Sequence, residues 1–187
     1  MLIMRSVASP MSLVARREGL VEWLTSPEFT HVIHLAPNRH ELSFARLTRM
    51  FSRFCIEVDR YMLGAKHVHM RGSHDRLNMV VMPEKLDTNP HLHGVANFSS
   101  DFWGQRLNLP WEWKLEQIWH EITQGSGTIL IQADPDRGAA IYATKEAFRR
   151  NHDFLHSWDF HSDDKLRKRP NATALQTIAH QKAVLNS

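Results

Sequence analysis

Residues 41–63 carry the longest amphipathic pattern in the chain, and they limit what the rest can become. Leu42, Ala45, Leu47, Met50, Phe51, Phe54, Cys55, Val58, Tyr61 and Met62 recur at three- and four-residue spacing. That is the period of a helix with one apolar side. Gly64 follows as a stop. A stripe of this length has to be laid on another layer. Apolar or alternating stretches of strand length over 29–36, 65–71, 77–82, 91–98 and 128–132 supply one. A short helix is expected over 13–24, ended by Pro27, and two more over 111–122 and 138–148. The order β, α, β, β, β, α, β, α predicts an α+β fold. Its centre is an antiparallel sheet of about five strands, with helices packed on one face.

The 187 residues fit one domain with appendages. The expected division is an arm over 1–27, a catalytic domain over 28–150 and a basic tail over 151–187. A hydrophobic content of 42% excludes a disordered chain. The net charge of +3 and pI near 9.2 are a mild basic bias, compatible with a polyanionic partner. The lone Cys55 excludes an internal disulfide framework and suits a reducing compartment. No apolar run approaches the ~20 residues that span a bilayer. A cytoplasmic protein with no membrane partner is therefore expected.

The chemistry centres on Asn89, Pro90, His91, Leu92, His93 and Gly94. In a strand, alternate side chains share a face, so His91 and His93 point the same way and Leu92 the other. Two imidazoles one strand repeat apart can chelate a divalent ion. An exposed pair with no ligand is the competing reading, and thirteen histidines weaken any argument from one. His67 and His69 form a second such pair, with no turn or glycine framing it. Over 29–36, Phe29, His31, Ile33 and Leu35 alternate with Thr30, Val32, His34 and Ala36. Neither set is purely apolar, so the face that meets the core is open. Tyr142 and Lys145 stand three apart on an expected helix and are neighbours on its surface. A tyrosine hydroxyl, with a pKa of about 10, needs a nearby cation or a polarised centre to act as a nucleophile. Tyr61 lies in the apolar stripe of the long helix, which leaves Tyr142 as the better candidate. Lys165, Arg167, Lys168 and Arg169 form a basic run, either a solvated linker or a DNA-tracking arm. Residues 172–185 could form a terminal helix.

These residues resemble the HUH endonuclease family, which nicks single-stranded DNA through a tyrosine. The stretch from Phe29 to Ala36 resembles the family's first motif. The run from Asn89 to Gly94 resembles its histidine-hydrophobe-histidine motif, and Ile141 to Lys145 its tyrosine-x-x-lysine motif. The stretch from Asp59 to Gly64 is similar to rolling-circle replication initiators of bacteria. The likeness spans about residues 28–150. His31 and His34 depart from it, since many members have threonines there. The resemblance implies a ferredoxin-like fold and a divalent metal, Mn²⁺ or Mg²⁺, on His91, His93 and a third polar ligand. Glu84 is the expected third, with His69 and Asp87 as rivals. It implies that Tyr142 becomes joined to the 5′ phosphate while Lys145 steadies the charge, on a single-stranded DNA or origin-hairpin substrate. Two other classes stay open: a metal-dependent phosphodiesterase with no covalent step, and a DNA-binding module without activity.

Overall fold

A computed structural model describes residues 12–65, 68, 75–98, 111–145 and 154–161. Its elements are α1 (Leu13–Leu24), β1 (His31–Ala36), α2 (Phe44–Leu63), β2 (Met79–Glu84), β3 (His91–Ala96), α3 (Trp111–Ile122), β4 (Thr128–Ala133), α4 (Arg137–Ala143) and β5 (Leu155–His156). A single 3₁₀ turn, Ser157–Phe160, follows. The strands form one sheet in the order β4-β1-β3-β2-β5, with every neighbour antiparallel. This is a ferredoxin-like α+β arrangement, with β3 at the centre of the sheet and β5 added at one edge.

The long helix forms as its pattern requires. Ser43 caps it by accepting the Arg46 N–H at 3.3 Å, and Gly64 ends it at a φ of +83°. Leu47, Phe51, Phe54, Cys55, Val58 and Met62 are buried against Ile33, Leu35, Met79, Val81 and Leu92 of the sheet. α3 adds Leu115, Ile118 and Trp119 to the same core. The Trp119 indole N–H is not left orphaned there, because it donates to the Ala36 carbonyl at 3.1 Å. The C-terminal half of α2 is tied to the entry of β2 by Asp59. Its carboxylate accepts from Arg76 Nε and from the Leu77 N–H, both at 2.8 Å.

The expectation of helices on one face is corrected. α2 and α3 cover one side, but α1 and α4 cover the other. There Leu20, Val21, Leu24, Ala140 and Ala143 bury Val80, Met82 and Val95. β2 is buried along its whole length, so both of its faces need cover. The fifth strand is also not the one expected. Ala65 and Val68, the described residues of 65–71, lie outside the sheet. The place is taken by Leu155–His156, from the stretch read as tail, pairing with Val80 and Val81. Residues 128–132 form an edge strand of the sheet, paired to β1 alone. β1 begins at His31 because the Phe29 N–H closes a turn onto the Ser26 carbonyl. His67, His69, the basic run and the terminal helix fall outside the described residues. No described helix is long and apolar enough to cross a membrane.

Candidate metal centre and tyrosine

Register sets the site. His93 of β3 lies across from His34 of β1, and His91 lies across from Glu84 of β2. Leu92 and Leu35 share the opposite face with α2. The alternation that buries those leucines therefore gathers His34, His91, His93 and Glu84 on one surface. The His34 and His93 rings stack at 4.1 Å between centroids, 9° from parallel. His91 meets both nearly edge-on, at 4.9 and 5.0 Å. One candidate ligand atom from each of the three lies within 4.8 Å of the others, so the trio could hold a metal ion.

The protonation of the trio favours that role. Burial, reinforced by the charge of His34, lowers the His93 pKa to about 4. Burial, with the charge of His91, lowers that of His34. Both rings are neutral at pH 7 and offer a lone pair, the form that ligates metals. His34 Nε2 is buried and has no hydrogen-bond partner among the described residues. His91 Nδ1 faces the Asn89 carbonyl at 2.7 Å and must donate to it, since an oxygen cannot. That fixes Nε2 toward the site, 3.4 Å from Glu84 Oε2. A carbonyl that orients a ligating imidazole is the usual support of a metal site.

Glu84 is fully buried yet carries a charge. Burial pushes its carboxyl up, but His91 and Lys145 outweigh it and hold the pKa below the ordinary value. Lys145 Nζ lies 2.9 Å from Glu84 Oε2 and 3.6 Å above the centre of the Tyr142 ring. Burial works against the Lys145 ammonium, but the Tyr142 hydroxyl and Glu84 raise its pKa above the ordinary value. The Tyr142 ring stands 5.4 Å from His93 and is half exposed. The structure thus brings together His91, His93, Glu84, Tyr142 and Lys145. Glu84, expected as the third ligand, lies beside the imidazole trio, 3.4 Å from His91 Nε2, and links it to Lys145.

Three further expectations are revised. The third imidazole is His34, which sequence left without a role. Its signal was the alternation with Ile33 and Leu35, but the partner across the sheet is a matter of register. Lys145 is not on the tyrosine's helix. Thr144 caps α4, its hydroxyl donating to the Ala140 and Ile141 carbonyls, and Lys145 sits in the turn beyond. The approach to Tyr142 is kept because the Lys145 N–H closes that turn onto the Tyr142 carbonyl at 3.1 Å. The other rivals stand apart. Asp87 is exposed and outside the trio. His31 is on the far face with Phe98 and Trp111, and Tyr61 packs with the α2 core.

Comparison with protein-family models, curated proteins and solved structures finds no match for this chain. Its function has to be argued from the site.

Proposed function

We propose that the chain is a single-stranded DNA endonuclease that cuts through a covalent 5′-phosphotyrosine on Tyr142 and initiates rolling-circle replication as an HUH nickase. One observation carries the reading. A half-exposed tyrosine, three clustered imidazoles and a lysine held by a buried carboxylate converge on one patch of sheet. A packed structural tyrosine needs none of these neighbours.

In the step, Tyr142 Oη forms a bond to phosphorus and the bond from phosphorus to the 3′ oxygen breaks. The hydroxyl proton goes to water, and the departing 3′ oxygen takes one from water. Lys145 stays cationic and stabilises the phenolate as it forms. Glu84 fixes the position of Lys145 and keeps His91 turned toward the phosphate. His34, His91 and His93 would hold the divalent ion. When bound, it polarises the phosphate oxygens. Mn²⁺ or Mg²⁺ follows from the resemblance, and a three-imidazole donor set also suits Zn²⁺.

The test is a denaturing gel of protein incubated with 3′-end-labelled single-stranded DNA carrying an origin hairpin, with Mn²⁺, Mg²⁺ or Zn²⁺. A labelled band that migrates with the protein is expected, and Tyr142→Phe should bind the DNA yet lose the band. Cleavage without the band favours a phosphodiesterase with no covalent step. Binding with no cleavage under any of the metals favours an inactive binding module.

A further inference from the structure

Beside Tyr142 lies an open cleft of about 360 Å³, within the ~300–1,000 Å³ in which proteins hold small organic groups. His93 and Tyr142 form one wall, so an occupant lies against the reacting groups. Val32 and Leu130 supply an apolar wall. Leu130 is 52% exposed although it stands on the sheet directly across from His34. A large aliphatic group presented to solvent beside a reactive centre suits the face of a flat ring.

Apart from His34, His93 and Tyr142 of the site itself, the polar side chains of the cleft are Gln132 and Asp136. The Gln132 amide makes no hydrogen bond among the described residues. Asp136 spends one oxygen as the cap of α4, accepting the Ala139 N–H from Oδ1 at 2.6 Å, and Oδ2 has no such partner among them. Among the described residues no lysine or arginine lines the cleft. A phosphate is therefore repelled from it by Asp136 and drawn instead to the side where Lys145 stands. The charges divide a nucleotide between them, with phosphate by Lys145 and base by Asp136.

We infer that this cleft binds a nucleobase flanking the scissile phosphate and selects one bearing an exocyclic amine over thymine, an inference that rests on the nuclease reading above. A carboxylate oxygen can only accept, and the amines of adenine, cytosine and guanine donate to it. The Gln132 amide offers both a donor and an acceptor to the same edge, as it does to adenine elsewhere. Thymine turns carbonyl oxygens toward that edge on both sides of its one N–H. That N–H can reach Asp136 only with a carbonyl oxygen set beside the carboxylate, a repulsion that an amine at the rim of the base avoids.

The experiment uses the full chain with Mn²⁺ and a single-stranded DNA library randomised over its central positions. Strands joined to protein are recovered on a denaturing gel, released fragments are kept, and both are sequenced. Thymine should be depleted about tenfold at one of the two positions flanking the cut, a modest figure for base discrimination. Asp136→Asn keeps the helix cap, because asparagine caps as well as aspartate. It should reduce the depletion to less than about threefold, with Gln132→Ala weakening it further. Thymine as frequent as the other bases at both positions, or a bias that survives both substitutions, would overturn the inference while leaving the nuclease reading standing. Recovery of no joined strand from wild-type protein would instead overturn the nuclease reading and this inference with it.

Discussion

Leu92 and His93 are neighbours on β3 and face opposite ways. Leu92 points into a dry layer beneath α2 and α3, helices of 20 and 12 residues. His93 points to the face under α1 and α4, of 12 and 7 residues. The shorter cover buries Val80, Met82 and Val95 but leaves Tyr142 half exposed. Polar side chains are costly to bury without partners, so they collect where the lid is short and a partner can enter. The same strands thus write a stabilising surface and the surface proposed to be reactive, offset by a single residue. Substitutions on the two surfaces should separate stability from activity.

The largest effect is expected on the reactive face. His91→Ala combined with His93→Ala removes two of the three imidazoles, and covalent cleavage in Mn²⁺ should fall at least about 10³-fold, near 4 kcal/mol of barrier. The thermal midpoint without metal should stay within a few degrees, because neither ring is part of the apolar core. Leu92→Ala, between them in sequence, should do the reverse. It deletes a fully buried side chain and should cost about 2–5 kcal/mol in chemical denaturation. Activity per folded molecule should stay close to that of the wild type. Equal losses of both quantities in either variant would break the contrast.

A smaller effect sharpens it, because the reactive face also holds a histidine that is purely structural. His156 of β5 pairs with Val80 and is fully buried, its Nε2–H donating to Asn78 Oδ1 at 3.0 Å. Burial, helped by the charge of His161, lowers its pKa to about 3. An unfolded histidine titrates near 6.5, so between those values the unfolded chain binds the extra proton. Stability should therefore be complete above pH 6.5 and fall as the pH drops toward 3, by up to about 1.4 kcal/mol per pH unit for one proton. His156 should contribute about 1 kcal/mol to the difference between pH 7.5 and 5.5, with His93 and His34, also lowered by burial, adding in the same direction, and His156→Gln should remove its share. An unchanged slope in that variant would show that the acid sensitivity comes from elsewhere.

The stabilising face was more legible in the sequence than the reactive one. The stripe from Leu47 to Met62 declares a helix and its buried side by periodicity alone, and the alternation around Leu92 declares a strand. Such patterns report burial, a local property. His34 joins His93 through register, Lys145 meets Glu84 across 61 positions of sequence, and neither contact leaves a periodic trace. Leu155–His156 is too short for any period to appear. α1 has apolar residues but a weak one-sided pattern, so its place on the second face was hidden. Thr144 ended α4 two residues before Lys145 by bonding back to its own helix, a competition that propensity reads poorly.

The central claim is that Tyr142 is the atom donor in the cut, and it can be read from a mass. Protein joined to single-stranded DNA in Mn²⁺ is digested with nuclease and protease, and the peptide carrying residual nucleotide is fragmented in a mass spectrometer. The account predicts a phosphodiester on the Tyr142 hydroxyl, with none on Tyr61. Nucleotide on any other side chain, or complete cleavage with every peptide unmodified, would contradict it.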